Sequence, residues 1–249
     1  MKIALTLSGQ PRRYKGGFKQ LKKWFLDRYD IDVYLHSWVN DKVHKYHYGD
    51  IQVTYDLENQ VYDNLVNWYQ PKDYLFEKPI NFDASHMVSH QRVNSQMGMW
   101  MSLYRAWQLL ENSGIKYDLV IRSRYDLFFD HFLPLTHPFL DDITKLDPNY
   151  VHYPKRNRDP DSIKGLNDIF AIGGYDVMKV YHNTFSSIFY YQFECPRYDE
   201  KHQQIEGIQS KFYNECLLRW HLSENNIPIK VDNEGHPYGI CGDGLTILR

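Results

Sequence analysis

Cysteine is scarce in this chain: three residues, Cys195, Cys216 and Cys241, widely spaced and odd in number. That argues against a disulfide framework and against a thiolate zinc site, and makes a reducing, cytoplasmic setting the simpler expectation. No apolar run approaches the roughly 20 residues needed to span a bilayer, so any membrane association would be peripheral. The apolar run over residues 2–7 is far shorter than the core of a secretory signal and reads as a first strand. A long basic run is also missing, and the net charge is only -2, which leaves no footprint for a phosphate backbone and sets nucleic acid aside as a partner. There is no Walker lysine motif, no Gly-x-Gly-x-x-Gly after a strand and no Gly-x-Ser-x-Gly elbow. P-loop kinases, dinucleotide enzymes and acyl hydrolases therefore have no anchor. The pairs His44/His47 and His86/His90 have helical spacing without the His-Glu-x-x-His pattern, so no zinc centre is expected there. Repeats, low-complexity stretches and Gly/Ser linkers are absent, and the 249 residues are expected to form one domain.

Aromatic side chains, by contrast, make up 16% of the chain, led by 21 tyrosines, flat apolar faces with a polar handle that suit either a core or a sugar-stacking cleft. The apolar run at 2–7 breaks at Ser8-Gly9-Gln10-Pro11, and Phe18, Leu21, Trp24 and Phe25 then recur at helical spacing. Ile31 to His36 reads as a second strand, which makes a β-α-β opening with parallel strands and both carboxyl ends on one rim. Further along, the pattern predicts a helix near 57–69 and a short strand near 73–77. A long helix over 94–111 has Met97, Trp100, Met101 and Tyr104 on one face and reads as core; a strand follows over 118–123. A short strand is expected at 150–154, a charged loop over 155–165 that would either cover the rim or be a solvated surface excursion, a long helix from Tyr175, a helix over 209–224 and a last strand from Ile227 to Val231. The fold class is α/β: three layers, α/β/α, around a mainly parallel sheet. Residues 1–130 would form the nucleotide-binding half and 131–249 the acceptor-binding half.

One segment carries most of the chemistry. Tyr117 to Phe129 runs an apolar strand, Leu119-Val120-Ile121, directly into Arg122-Ser123-Arg124-Tyr125-Asp126. In open α/β sheets ligands bind at the carboxyl ends of the strands, so this delivers two guanidiniums and a carboxylate to the binding rim. Alternation along an extended strand would put Arg122, Arg124 and Asp126 on one face. A hard divalent cation, Mn2+ or Mg2+, held by Asp126 and phosphate oxygens would neutralise a departing nucleoside diphosphate. The alternative for Asp126 is a turn cap, with the arginines paired to surface carboxylates.

Ser8, Gly9, Gln10 and Arg12 form a second group, in which the glycine admits a nucleotide to the backbone and Gln10 offers both donor and acceptor. His36, at the end of the second strand, would either touch the base or be a satisfied structural histidine. Asp168 and Glu215 are candidates to take the proton of an acceptor hydroxyl. For Glu215, a carboxylate favouring a helix N-terminus is the alternative.

Four stretches in order, Leu7 to Arg12, Tyr117 to Phe129, Asn167 to Gly173 and Asn214 to Leu218, resemble a GT-A-fold glycosyltransferase of the small soluble type found in surface-glycan and polysaccharide gene clusters of bacteria and large viruses. The resemblance implies a nucleotide over the carboxyl ends of the first strands and an Asp-x-Asp motif that holds the metal. Asp126 matches the last acidic position of that motif, whereas Arg124 stands at the first; one carboxylate is a poor cage, so the alternative to a bound metal is that Arg124 itself replaces part of the ion's charge. It further implies a late histidine as metal ligand, here His236, for which a loop histidine with no ligand role is the alternative, and an acceptor-side base at Asp168. The implied activity is hexosyl or pentosyl transfer from a nucleotide-sugar donor to a hydroxyl of a glycan or glycoconjugate acceptor. The alternatives are a sugar-nucleotide nucleotidyltransferase and a non-catalytic carbohydrate-binding protein of the same fold.

Overall fold

In the strands, successive side chains are sorted to opposite faces of one sheet. Ile3, Leu5 and Leu7 share a buried cluster with Val33, Leu35, Leu119 and Ile121, whereas Ala4, Tyr34 and Val120 belong to the cluster on the other face. A sheet buried on both faces demands such nearly continuous apolar strands. The computed structural model describes residues 1–39, 42–46, 52–56, 60–82, 90–129, 142–152, 168–197, 214–228 and 245–247.

The chain opens with β1 (Ile3–Gly9), α1 (Tyr14–Leu21) with a π-helical turn at Lys22–Leu26, and β2 (Ile31–Trp38). A hairpin, β3 (Lys42–Tyr46) and β4 (Gln52–Asp56), is followed by α2 (Val61–Tyr69), β5 (Asp73–Glu77), α3 (His90–Asn112), β6 (Leu119–Ser123) and β7 (Leu127–Phe129). The later elements are β8 (Ala171–Gly173), α4 (Tyr175–His182), α5 (Thr184–Phe189), α6 (Asn214–Glu224) and β9 (Leu245–Ile247). The main sheet has the order β5-β2-β1-β6-β8. β5, β2, β1 and β6 run parallel, and β8 adds an antiparallel edge. This is the expected α/β architecture with a mainly parallel sheet.

One face is covered by α1 and α2, the latter burying Val61, Leu65 and Tyr69 at four-residue spacing. The other is covered by α3, whose Met97, Trp100, Leu103, Trp107 and Leu110 are fully buried, with α4 and α6 beside it. The aromatic helix is therefore core. Cys195 and Cys216 are buried.

Several expectations need adjustment. The helix from Tyr175 breaks at Asn183, because the hydroxyls of Thr184 and Ser186 donate to the carbonyls of Tyr181 and Asn183 (2.8 and 2.7 Å) and compete with the backbone ladder. Within the strand expected at 150–154, His152 bridges Ile172 in antiparallel fashion, and 153–154 lie outside the described residues. Ile227 donates to the Leu222 carbonyl and closes α6, and the rest of the strand expected from Ile227 to Val231, beyond Pro228, lies outside the described residues. Two pairings were not anticipated, the β3–β4 hairpin and the β7–β9 pair. The charged loop over 155–165 and His236 lie outside the described residues.

Candidate functional site

β1 and β6 stay in register up to Leu7 opposite Ser123, and both then release their chains at the same rim of the sheet. Two loops meet there, Gly9–Arg12 after β1 and Arg124–Asp126 after β6.

Extended backbone stops at Ser123, and Tyr125 and Asp126 form a turn. The simple alternation expected to align three charges is thus interrupted, yet the turn still brings Asp126 back onto Arg124. Arg124 donates through Nε to Oδ1 and through Nη2 to Oδ2 of Asp126, both at 2.8 Å. This is a bidentate, charge-assisted pair. Burial opposes the Arg124 charge, and the Asp126 carboxylate overcomes it, leaving the guanidinium pKa raised. Asp126 is only 1% exposed. Tyr125, between the two, points into the core on the α1 side and donates to the His36 carbonyl (3.0 Å), fixing the turn to β2.

Arg122 faces the other way, opposite Thr6 on β1 and under α4. It is fully buried, and its Nε and Nη1 have no hydrogen-bond partner among the described residues. Burial pushes its pKa down; the nearby hydroxyl of Tyr181 and the carboxylates of Asp168 and Asp126 push it back up. The Tyr181 hydroxyl is likewise buried without a hydrogen bond among the described residues. Beside them His182 donates from Nδ1 to the Met178 carbonyl (2.7 Å), so its Nε2 accepts from the Thr6 hydroxyl (2.9 Å). Burial holds His182 neutral, with its pKa lowered to about 3.

Asp168, just before β8, acts electrostatically on both Arg122 and Arg124, so the antiparallel edge strand returns this carboxylate to the rim. Glu215 lies elsewhere, in the first turn of α6 next to Asn214, whose Oδ1 accepts from Trp100 Nε1 (3.1 Å) on α3.

In the first loop, Gly9 has φ +110°, a backbone that side-chain-bearing residues rarely adopt. Its N–H donates to Ser102 Oγ (2.7 Å), and its carbonyl accepts from Ser37 Oγ (3.0 Å). Gln10 Oε1 accepts from Nε and Nη2 of Arg12 (3.0 and 2.8 Å), which orients that guanidinium and leaves the Gln10 amide N–H groups to donate. Ser8 is buried in register with His36. His36 is fully buried, and both its ring nitrogens are engaged: Nδ1 with Ser102 Oγ (2.7 Å) and Nε2 with Glu77 Oε1 (3.0 Å).

The rim therefore gathers Ser8, Gly9, Gln10, Arg12, Arg122, Arg124, Asp126 and Asp168. Sequence reasoning did not single out Ser37, Glu77, Ser102, Tyr125, Tyr181 or His182. Ser102 alone left a trace, as a hydroxyl amid the buried face of α3. Among the described residues, no three His, Cys, Asp or Glu side chains are placed to share a metal ion. No helix among them is long and apolar enough to cross a membrane.

The chain matches no protein-family model. It also matches no curated protein. Among solved structures it is similar to the apo-form glycosyltransferase GlyE of Streptococcus pneumoniae TIGR4, at 14% identity and a TM-score of 0.39, over 90% of this chain and 43% of that one. It thus spans less than half of that protein's length. It is also similar to a glycosyltransferase involved in the glycosylation of the major capsid of PBCV-1, at 11% identity and a TM-score of 0.35, over 92% of this chain and 78% of that one.

Proposed function

We propose that the chain is a glycosyltransferase that moves a hexose or pentose from a nucleotide-sugar donor to a hydroxyl of a glycan acceptor, in a reducing, cytoplasmic compartment. The observation that carries this reading is the meeting, at the carboxyl ends of parallel strands β1 and β6, of a glycine loop with a buried Arg122, the Arg124–Asp126 pair and Asp168. Ligands of open α/β sheets bind on that rim.

In this reading the Gly9–Arg12 loop takes the nucleotide, with the Gln10 amide and the Arg12 guanidinium as its polar contacts. Arg122, whose buried N–H groups lack partners among the described residues, donates to the diphosphate as charge builds on the leaving oxygen. Such preorganised donors act strongest where water is excluded. Asp168 orients the acceptor hydroxyl and takes its proton, with Glu215 as the second candidate.

Around the end of β6 the charge is balanced, because Arg122 and Arg124 face Asp126 and Asp168, and Arg12 adds a single positive charge to the rim. An incoming diphosphate therefore calls for extra positive charge, and Mn2+ or Mg2+ fits that need. Asp126, through the lone pairs that Arg124 leaves unused, and His236 would hold the ion, which supplies neutralisation of the departing diphosphate.

The test is a thermal-shift series with UDP, GDP, CMP and dTDP, each with manganese or with EDTA. A ligand at a hundred times its Kd stabilises the native state by about 2.7 kcal/mol, a shift of several degrees for a chain of this size. One base-selective shift, present with manganese and lost in Arg122→Met, is expected. A shift that persists in EDTA would remove the metal and leave the diphosphate to the two arginines. No shift with any nucleotide would overturn the donor site.

A further inference from the structure

Behind the Gly9 loop stands a chain of side chains from three separate elements. Gly9 lies beyond the last β1–β6 pair, and its amide takes a side-chain acceptor, Ser102 Oγ on α3, at 2.7 Å. Ser102 Oγ meets His36 Nδ1 at 2.7 Å, and His36 Nε2 meets Glu77 Oε1 at 3.0 Å. Glu77 is in turn ion-paired with Arg105, one helical turn from Ser102 on the same helix (3.2 Å).

The proton order along this chain follows from chemistry. A backbone N–H only donates, so Ser102 Oγ accepts from Gly9. A carboxylate only accepts, so the ring proton sits on His36 Nε2 and points at Glu77. His36 Nδ1 then carries a lone pair and receives the one remaining proton, that of the Ser102 hydroxyl. The serine rotor is fixed with its lone pair toward Gly9. Trp38, edge-on to the His36 ring at 4.7 Å and donating from Nε1 to the Gly98 carbonyl (2.9 Å), ties the same stretch of α3 to the end of β2.

We propose that Ser102 is a positioning residue for the nucleotide: backed by His36 and Glu77, it holds Gly9 in its positive-φ conformation so that Gln10 and Arg12 face the donor. This rests on reading the Gly9–Arg12 loop as the nucleotide contact. The polar atoms of Ser102 and His36 are taken up by Gly9, by each other and by Glu77, so they act through Gly9 and touch no substrate themselves. Burial keeps His36 neutral, with its pKa lowered to about 4, and the Ser102 proton keeps its acceptor throughout the neutral range.

The experiment uses the full chain and two readouts: exchange of the Gly9 amide by NMR, and the Kd of whichever of UDP, GDP, CMP or dTDP binds the wild type. Ser102→Ala is expected to speed Gly9 exchange at least tenfold and weaken nucleotide binding about tenfold, while exchange at Leu5 stays unchanged. Ser102→Cys fills the same space with a poor acceptor and should fall on the same side. His36→Asn keeps an acceptor where Nδ1 stood and should restore both readouts to near wild type, whereas His36→Leu should reproduce Ser102→Ala. Faster Gly9 exchange with an unchanged Kd would overturn the positioning role, and unchanged exchange would overturn the clamp. A wild type that binds none of the four nucleotides would instead sink the donor site, while Gly9 exchange would still report on the clamp.

Discussion

Arg122 and Arg124 are two residues apart and have opposite fates. Arg124 spends its fork on Asp126, so its charge is compensated within the turn. Arg122 is as deeply buried as any core leucine, yet two of its N–H groups have no partner among the described residues. Carrying a charge into that environment costs several kcal/mol unless it is fully paired, and an isosteric apolar side chain often does better. A cost of this kind persists where the group has work to do with a ligand. Arg122→Met removes these unsatisfied N–H groups and is therefore expected to raise the melting temperature, by the equivalent of about 1–3 kcal/mol, while abolishing nucleotide binding. Calorimetry together with the nucleotide titration checks both halves. A variant that melts lower than wild type would mean that the guanidinium is satisfied in the fold and is no ligand group. The cluster itself is legible in the sequence, since Leu119-Val120-Ile121 announces a strand and the charges follow at once. Its internal pairing is not legible, because it depends on a turn at Tyr125-Asp126 that a continued alternation would not contain.

The element that positions this turn is α1. Gly17 lies so close to it that a Cβ on Gly17 would stand 1.8 Å from the Tyr125 carbonyl oxygen. Replacing glycine by alanine inside a helix ordinarily gains about 0.5–1 kcal/mol. Here the helix would have to withdraw from the turn, and overpacking of that kind costs about 1–3 kcal/mol. Gly17→Ala should thus lower stability, opposite in sign to the propensity effect, and cut turnover as Arg124 and Asp126 move. Denaturant midpoints and transferase assays read the two, and a stabilised, fully active variant would contradict this packing. Among the elements, β1, β2 and β6 can be read off the sequence because a sheet covered on both faces needs nearly unbroken apolar runs, and the edge strand β5 shows through its short run Tyr74-Leu75-Phe76. α3 can be read because its buried positions recur every three or four residues. The strands β7, β8 and β9 are too short, at three residues each, to carry a period, and β7 pairs with β9 from far along the chain. The Ser102–His36–Glu77 chain is hidden for the same reason: its members come from α3, β2 and β5, and only the parallel register of β2 with β5 brings His36 near Glu77.

At the scale of the whole molecule, burial on both faces of the sheet encloses three histidines that stay neutral. His36 and His221 have pKa values lowered to about 4, and His182 to about 3, in each case chiefly by burial. Their partners oppose the shift without reversing it: Glu77 at His36, the Met178 carbonyl at His182 and the Val180 carbonyl at His221. Arg105 near His36 and Arg122 near His182 add to the lowering. An unfolded histidine takes up its proton near pH 6.5, which these folded rings refuse until about pH 4 or below. Between those values the unfolded chain binds more protons than the native one, so stability rises with pH across this window. The contribution is fully present above 6.5 and is lost as the pH falls toward 4, on the order of 2 kcal/mol for each ring by pH 4.5. The melting temperature is accordingly expected to be flat above pH 7 and to drop steeply between 6.5 and 4.5. His221→Gln keeps a donor for the Val180 carbonyl (3.0 Å in the native pair) and removes the titrating group, so it should make that slope shallower by one histidine's share. Melting curves at half-unit pH steps for the two proteins decide the matter: parallel slopes would show that His221 takes up its proton in the fold as readily as outside it.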